Sequence, residues 1–280
     1  MKYTTKTTML ASLLAITFSS LALNANAVSS AESAVGPLLD NAIAGDHGSA
    51  KNKARDSQRH PKETLMFFGV KPDMKVLEIL PGGGWYTEIL APALKDRGQL
   101  TVASFGADNP SDYMRNTHNS YVANMEANPH VYGAVNVALF EDEGYLTKIA
   151  RDSQDLVLTF RNSHNWIRFG GIEQAYKSFN RVLKKGGVLG VVQHRAAPDA
   201  DVKQAAEKGY IPQAYLIELV ESMGFKLLAQ SEINANVKDT KDHSKGVWSL
   251  PPSYREKDQN REKYRAIGET DRMTLRFVKL

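Results

Sequence analysis

The segment KVLEILPGGGWYTEILAPAL, residues 75–94, contains the change of pattern that indicates the fold of this protein. Lys75 to Leu80 is a short apolar run typical of a buried strand, and Pro81 to Gly84 predicts a tight turn. Tyr86 to Leu94 is then predicted to form a helix that ends before Gly98. A strand, a glycine turn and a helix in this order form one unit of an open α/β sheet.

Apolar runs and helical segments alternate in the same way along most of the chain. Seven strands are predicted, at 75–80, 100–105, 131–140, 155–160, 188–193, 226–233 and 273–280. Helices are predicted at 61–68, 86–94, 112–126, 172–183 (closed by the turn 184–187) and 211–223. Strands that alternate with helices imply a parallel sheet covered on both faces, and only the last two strands break this rhythm.

The first 27 residues have the three parts of a secretory signal peptide. Lys2 and Lys6 form a basic start, Met9 to Leu23 is apolar, and Ala25-Asn26-Ala27 is a small-x-small cleavage site. A transmembrane helix would need about 20 apolar residues, and this run is shorter. We therefore expect an exported, periplasmic protein that keeps no membrane anchor after cleavage.

The rest of the chain is predicted to contain an N-terminal arm, residues 28–60, and one α/β domain, residues 61–280. An insertion at 234–272 joins the last two strands and includes a charged helix near Tyr254 to Ile267. A connection of this length is either a lid or binding loop, or a solvated decoration of the domain. The sequence leaves both interpretations open.

Composition excludes several classes of function. The chain has no cysteine, which excludes disulfides, thiolate metal sites and cysteine nucleophiles. Removal of residues 1–27 takes away two lysines and no acid, so the formal charge falls from +4 to +2. This near balance does not predict a nucleic-acid partner, which would need a clustered basic face. The histidines lack the close paired spacing of a metal site, so no metal is predicted.

The glycine turn predicts a ligand-binding loop, because consecutive glycines allow a ligand to approach the backbone and the next helix presents its positive end to an anion. A dinucleotide fingerprint counted from Gly82 would need glycine where Thr87 stands. A P-loop would need Gly-Lys-Ser/Thr, and a serine hydrolase would need Gly-x-Ser-x-Gly; neither is present.

Val76 to Thr87 resembles motif I of the class I S-adenosylmethionine-dependent methyltransferases, with Glu78 in the acidic position. Asp155 at the start of the fourth strand, Arg181 to Leu189, and Gly224-Phe225 match further parts of that family. The resemblance implies a Rossmann-like seven-stranded, mostly parallel sheet with helices on both faces and an antiparallel last strand. It also implies S-adenosylmethionine as cofactor and a small-molecule substrate.

Four motifs look most similar to a group of exported, predicted methyltransferases within this superfamily. They are Arg59 to Thr64, Pro81 to Thr87, Phe160 to Trp166 and Val247 to Pro252. The resemblance as a whole covers about His60 to Leu280.

The resemblance implies cofactor contacts at Glu78, Pro81, Gly82, Gly83, Gly84 and Trp85. The chain departs from the family at Leu80, which replaces the first glycine of motif I. It departs again after the second strand, where an acid usually binds the ribose and this chain has Ser104. Ser104 and Asp108 are the candidate replacements. Loss of a charge-assisted hydrogen bond costs about 1.5 to 3 kcal/mol, which weakens binding roughly ten- to hundredfold.

The segment that follows the fourth strand contains the candidate catalytic residues His164, Asn162 and Arg161. Ligands bind beyond the carboxyl ends of strands in open α/β sheets, and the fourth strand of the implied fold lies beside the first. His164 is a candidate general base, and Asn162 could orient the methyl acceptor. The alternative is that His164 only holds the loop geometry.

Five further residues are predicted to contact the substrate: Trp166, Asn165, His194, Arg195 and His60. Trp166 could stack on a flat substrate, or it could belong to the core. The family's amine methyltransferases often carry Asp/Asn-Pro-Pro-Tyr after the fourth strand, and its absence here argues against a nucleobase substrate.

Two functions agree with these observations. The first is methyl transfer to an oxygen or nitrogen of a small molecule. The second is an exported ligand-binding or altered-function protein on a methyltransferase scaffold, because S-adenosylmethionine is made in the cytoplasm. Leu80 and the missing ribose acid favour the second function, whereas the retained glycine turn and the residues after the fourth strand favour the first.

Overall fold

Seven strands form one central sheet in the computed structural model, which describes residues 35–141 and 145–280. The strands are β1 (Lys75–Ile79), β2 (Gln99–Ser104), β3 (Asn136–Leu139), β4 (Gln154–Phe160), β5 (Leu183–His194), β6 (Phe225–Ser231) and β7 (Arg272–Lys279). Their spatial order is β3-β2-β1-β4-β5-β7-β6. Strands β1 to β5 pair in parallel, and β7 lies antiparallel between β5 and β6. The predicted fold class is confirmed. The signal peptide predicted at 1–27 lies outside the described residues.

Helices cover both faces of the sheet. They are α1 (35–44), α2 (Ala50–Lys53), α3 (Asp56–Arg59), α4 (Pro61–Phe68), α5 (Trp85–Leu94), α6 (Asp112–Ala127), α7 (Pro129–Tyr132), α8 (Ser163–Phe169), α9 (Ile172–Val182), α10 (Val202–Glu207), α11 (Gln213–Ser222) and α12 (Arg261–Ile267), with a 3₁₀ helix at Gly246–Ser249. In the described ranges, none of these helices has both the length and the apolar character needed to cross a bilayer.

The strand order reverses at β1, which creates a crevice in the sheet. After β1 the chain continues outward through β2 to β3, and it then returns to the other side of β1 as β4. Because β1, β2, β4 and β5 are parallel, their carboxyl ends meet at one edge of the sheet. Ligands of open α/β sheets bind above such a reversal.

The alternation of side chains along each strand produces two hydrophobic cores. Val76 of β1 packs in one core with Leu65 and Phe68 of α4. The next residue, Leu77, packs in the other core with Phe179 of α9. Successive residues of a strand point to opposite faces, so a strand that is apolar at nearly every position is buried on both sides.

Two predicted elements are longer in the prediction than in the structure, for identifiable reasons. The predicted third strand at 131–140 is a strand only at Asn136–Leu139, because Val131 packs into the core from the short helix α7. Apolar residues alone do not distinguish a buried helical turn from a strand. The predicted turn at 184–187 lies in a register shift of β5: Leu183 is opposite Gln154, and the next residue of β5 that pairs with β4 is Val188, opposite Leu156.

The predicted charged helix at 254–267 is helical only at Arg261–Ile267. Tyr254, Lys257 and Asn260 have φ angles of 42°, 59° and 55°, in the left-handed region. A right-handed helix cannot pass through residues with positive φ, so α12 begins after Asn260.

The described residues of the predicted N-terminal arm pack on the glycine-turn unit. Trp85 Nε1 donates a hydrogen bond to the backbone oxygen of Asn52 at 3.2 Å, and Asn52 Nδ2 donates to Glu88 Oε1 at 2.9 Å. These bonds join α2 to the first turn of α5, which begins directly after the glycine turn.

Substitution Gly190→Ala should test the packing of α4 on the sheet. A Cβ at Gly190 would lie 2.7 Å from Phe68 Cγ and 2.8 Å from Leu158 Cδ2. Overpacking of this kind costs about 1 to 3 kcal/mol, so the free energy of unfolding measured with urea should fall by that amount. Gly83→Ala is the control: a Cβ there meets no atom within 4 Å, and its stability should stay within about 0.5 kcal/mol of the wild type. Equal stabilities of the two variants would contradict the described packing.

Candidate active site

A cavity of about 520 Å³ opens at the carboxyl ends of β1, β4 and β5. This volume is in the range of about 300 to 1,000 Å³ that is typical of small-molecule sites. The predicted site residues that line it are Glu78, Pro81, Gly82, Trp85, Arg161, Asn162, His164, Asn165, Trp166 and His194. The other predicted site residues, which do not line it, are Gly83, Gly84, Ser104, Asp108, His60 and Arg195.

The glycine turn bends through three residues with positive φ: Leu80 at 46°, Gly82 at 61° and Gly84 at 78°. A leucine in the left-handed region costs about 1 to 2 kcal/mol, so Leu80 carries strain that a glycine would not. A Cβ at Gly82 or Gly83 would meet no atom within 4 Å. The turn therefore leaves open space above its backbone, which allows a ligand to lie against it.

Glu78 lies beneath this turn and is only 1% exposed. Its Oε2 accepts a hydrogen bond from Thr87 Oγ1 at 2.6 Å, and Thr87 Oγ1 in turn accepts one from the Tyr121 hydroxyl at 3.1 Å. Burial raises the pKa of Glu78 to about 7, although the Thr87 bond acts in the opposite direction. Glu78 therefore changes charge near neutral pH.

The two candidate replacements for the ribose acid lie outside the cavity. The Ser104 hydroxyl is buried and hydrogen-bonded to Nδ1 of His118 at 3.1 Å, and Asp108 is exposed on the loop after β2. Besides Glu78, a second carboxylate lines the cavity: Glu141, which follows β3 and whose pKa is raised by partial burial. Sequence reasoning missed Glu141 although it directly follows the predicted end of the third strand at 140, so the strand-end rule could have indicated it.

Asn162 connects the end of β4 to the end of β1. Its Nδ2 donates to the backbone oxygen of Ile79 at 3.0 Å and to Thr159 Oγ1 at 3.3 Å. Its Oδ1 has no hydrogen-bond partner among the described residues. The amide is therefore held by its nitrogen, and its oxygen is available to a donor on a ligand.

His164 is buried at the start of α8, with Nδ1 3.3 Å from Gln193 Nε2. Gln193 Nε2 also donates to the backbone oxygen of Gly209 at 3.0 Å, which assigns the orientation of the amide. Nδ1 of His164 is then an acceptor, and the neutral ring carries its proton on Nε2. Burial lowers the pKa of His164 to about 4. These features favour hydrogen-bond donation by His164 Nε2 over proton abstraction.

His194, at the end of β5, lies beside His164 with a distance of 5.8 Å between ring centroids. Its Nδ1 is 2.6 Å from Thr270 Oγ1, and burial lowers its pKa well below the usual value. Both imidazoles are therefore neutral at physiological pH, and the site contains two adjacent uncharged hydrogen-bonding rings.

Trp248, which the sequence singled out only as part of the motif 247–252, supplies an aromatic wall of the cavity. Its ring is 5.9 Å from the His164 ring, and the Arg255 guanidinium lies 4.7 Å from its centroid. Trp166, in contrast, packs in the core against Phe140 and Phe179, and only part of it reaches the cavity. The half-buried Trp248 is better placed to stack on a flat ligand.

Two predicted substrate contacts have partners elsewhere. His60 lies between α3 and α4 with φ of 44° and lines a separate surface pocket. Arg195 is held by Glu232 at 2.6 Å and by Asp271 at 2.9 Å. The structure does not bring either residue into the cavity. In the described ranges, no three His, Asp or Glu side chains converge in a way that could hold a metal ion.

Comparison with solved structures identifies the class of fold. A methyltransferase from Aquifex aeolicus that depends on S-adenosylmethionine superposes with a TM-score of 0.53 and 13% identity, over 81% of this chain and 93% of that one. The glycopeptide N-methyltransferase MtfA superposes with a TM-score of 0.51 and 13% identity, over 81% of this chain and 98% of that one. The [4+2]-cyclase SpnF superposes with a TM-score of 0.54 and 15% identity, over 88% of this chain and 93% of that one. No protein-family model and no curated protein matches the chain.

The fold is therefore that of the class I S-adenosylmethionine-dependent methyltransferases. At these identities the likeness concerns the fold alone, and the function has to be argued from the cavity.

The buried Glu78 predicts a measurable dependence of stability on pH. The folded carboxyl keeps its proton up to a pKa of about 7, whereas in the unfolded chain it loses the proton near 4.5. Stability is therefore lost as pH rises from about 4.5 to 7, by up to about 3 kcal/mol. The free energy of unfolding of Glu78→Gln, measured with urea, should not show this loss. Between pH 5 and 8 the variant should therefore become more stable relative to the wild type as pH rises. Parallel pH profiles for the two proteins would contradict the raised pKa.

Proposed function

We propose that the protein transfers a methyl group from S-adenosylmethionine to an oxygen or nitrogen of a small-molecule acceptor. The observation that carries this proposal is the open space above Gly82 and Gly83, in a methyltransferase fold, at the mouth of the cavity that contains Asn162 and His164. The exported location predicted from residues 1–27 belongs to the same proposal.

The residues of the cavity fit the cofactor. Pro81, Gly82 and Glu78 would hold its methionine part, since a backbone without obstructing side chains adjoins a carboxylate that ionises near neutral pH. Glu141 and Tyr145 would hold the adenosine part at the end of β3, in place of the acid that the family carries after the second strand. Bound S-adenosylmethionine supplies an electrophilic methyl group.

The acceptor would be held by groups after β4 and β5. Asn162 Oδ1 would accept a hydrogen bond from the hydroxyl or amine of the methyl acceptor, which orients the attacking lone pair. His164 Nε2 donates a hydrogen bond to a second polar atom, and Trp248 limits the access of water. In-line displacement depends mainly on proximity and alignment, and these groups provide both without a strong base. The bond from the cofactor's sulfur to the methyl group breaks as the bond to the acceptor forms, and the acceptor's proton passes to solvent.

Binding of S-adenosylhomocysteine is the direct test. A ligand at 100 times its dissociation constant adds about 2.7 kcal/mol of stability, which raises the melting temperature measurably. Gly83→Asp should keep the melting temperature of the free protein, because the site is open, and should weaken binding at least tenfold. Gly186→Asp, which also meets no atom within 4 Å but lies in β5 toward its amino end, is the control for binding. Because its φ of 76° is strained for aspartate, its own melting temperature should fall, whereas its affinity for S-adenosylhomocysteine should equal that of the wild type.

Absence of any shift with millimolar S-adenosylhomocysteine would overturn the methyltransferase proposal. It would favour the alternative of a binding or altered-function protein on this scaffold, an interpretation supported by the positions of Ser104 and Asp108 outside the cavity.

Substitutions of His164 separate hydrogen-bond donation from general-base catalysis. His164→Gln retains an N–H near the position of Nε2, so methyl transfer should fall less than about tenfold, whereas His164→Ala should lose about 10²-fold or more. Both variants should bind S-adenosylhomocysteine as the wild type does. Transfer is measured as tritium from methyl-labelled cofactor entering a small-molecule extract. Equal losses in both variants would support proton abstraction by His164 instead.

A further inference from the structure

Four arginines converge beside the cavity around a single carboxylate. Glu269, 6% exposed, accepts from Arg55 Nε at 2.8 Å, from Arg59 Nε at 2.9 Å and from Arg272 Nη1 at 2.9 Å. The fourth is Arg161. Among the described residues, Glu269 is the only carboxylate within 4.0 Å of any of these guanidinium groups.

Arg161 has no ion-pair partner and no side-chain hydrogen bond within the described part of the chain. Burial lowers its pKa to about 10; Arg55 and Arg272 add to this effect, and Glu269 opposes it. The terminal nitrogens of Arg59 likewise donate no hydrogen bond within the described residues, although the guanidinium lies 4.9 Å from the centroid of the Trp85 ring. The cluster therefore carries an excess of positive charge with unused donors.

These unused donors border a small side pocket of about 70 Å³. Arg59, Arg161, His194, Trp248, Glu269 and Thr270 contribute to its lining. Arg161, His194 and Trp248 also line the main cavity, whereas no residue of the glycine turn reaches the side pocket. The pocket is thus an extension of the cavity toward β5 and β7, away from the turn.

An uncompensated charge in such a place is costly for the fold. Removing ions from water costs several kcal/mol each unless partners replace the water, so this excess of guanidinium charge favours the binding of an anion. The planar guanidinium fork matches a carboxylate with two parallel hydrogen bonds. A pocket of this volume admits a group of a few heavy atoms, and Thr270 and the neutral His194 add polar contacts.

We propose that Arg59 and Arg161 form a receptor for a carboxylate group, and that this group belongs to the methyl acceptor. The carboxylate of the cofactor's methionine part has the same chemistry, but the side pocket lies away from the glycine turn. The assignment to an acceptor rests on the proposed function. The receptor itself does not depend on that function.

The test compares three carboxylates of increasing size, formate, acetate and benzoate, with their neutral amides. Melting temperature and calorimetry are measured with and without saturating S-adenosylhomocysteine. At least one carboxylate should bind the wild type more tightly than its amide. Arg161→Gln should reduce that affinity about 10- to 100-fold, and Arg161→Lys should lose less because it keeps the charge. Arg265→Gln removes the same charge from the exposed helix α12 and should bind as the wild type does.

A second comparison distinguishes the two sources of the carboxylate. S-adenosylhomocysteine and 5′-methylthioadenosine differ in the methionine carboxylate and amine. If Arg161→Gln binds each of these two ligands as tightly as the wild type does, the result supports assignment of the carboxylate to the methyl acceptor. A loss confined to S-adenosylhomocysteine would place the cofactor carboxylate at Arg161 and overturn the assignment. If neither ligand binds, the proposed function fails while the carboxylate series still tests the receptor.

The stability of Arg161→Gln separates binding from a structural role. Because the substitution removes repulsion from the cluster, its melting temperature should equal or exceed that of the wild type. A lower melting temperature together with an unchanged preference for carboxylates would overturn the proposal. Failure of all three carboxylates to bind the wild type better than their amides would overturn it as well.

Discussion

The parallel pairing of β1 with β4 is the constraint on which the candidate active site depends. Ile79, the last residue of β1, lies opposite Thr159, so both strands reach the same edge of the sheet together. The chain leaves β1 through the glycine turn, and it leaves β4 through Arg161 and Asn162. The hydrogen bond from Asn162 to the Ile79 carbonyl joins these two exits. A shift of this register would separate the turn from the proposed acceptor-binding residues.

Burial determines how the site can act chemically. The same desolvation that keeps His164 and His194 neutral raises the pKa of Glu78 and opposes the charge on Arg161. A site with two neutral imidazoles and an amide oxygen is suited to aligning an acceptor rather than to strong acid–base catalysis. The arginines near Glu269 carry more positive charge than this one carboxylate neutralises, and an anionic ligand would compensate the excess.

Much of the fold could be predicted from local patterns. The glycine turn and its flanking strand and helix were identified from residues 75–94, and the strand-end rule indicated Asn162, His164 and His194, which line one cavity. Glu141 and Trp248 were missed as individual site residues. Glu141 directly follows the predicted end of the third strand, so the strand-end rule could have indicated it. Trp248 reaches the cavity through the long connection between β6 and β7, whose path cannot be read from any local sequence pattern.

The sequence by itself determined the strand–turn–helix unit, the two-faced burial of the strands and the position of chemical groups at strand ends, because these follow from the periodicity and the backbone preferences of neighbouring residues. Only the tertiary structure decided which of those groups meet. It directed Arg195 and His60 elsewhere, bound the Ser104 hydroxyl to His118, and gathered Arg55, Arg59 and Arg272 around Glu269. The contacts of Arg55 and Arg59 with Glu269, which lies more than two hundred positions away in the chain, depend on how the whole sheet and its connections pack, and that information is absent from any single segment.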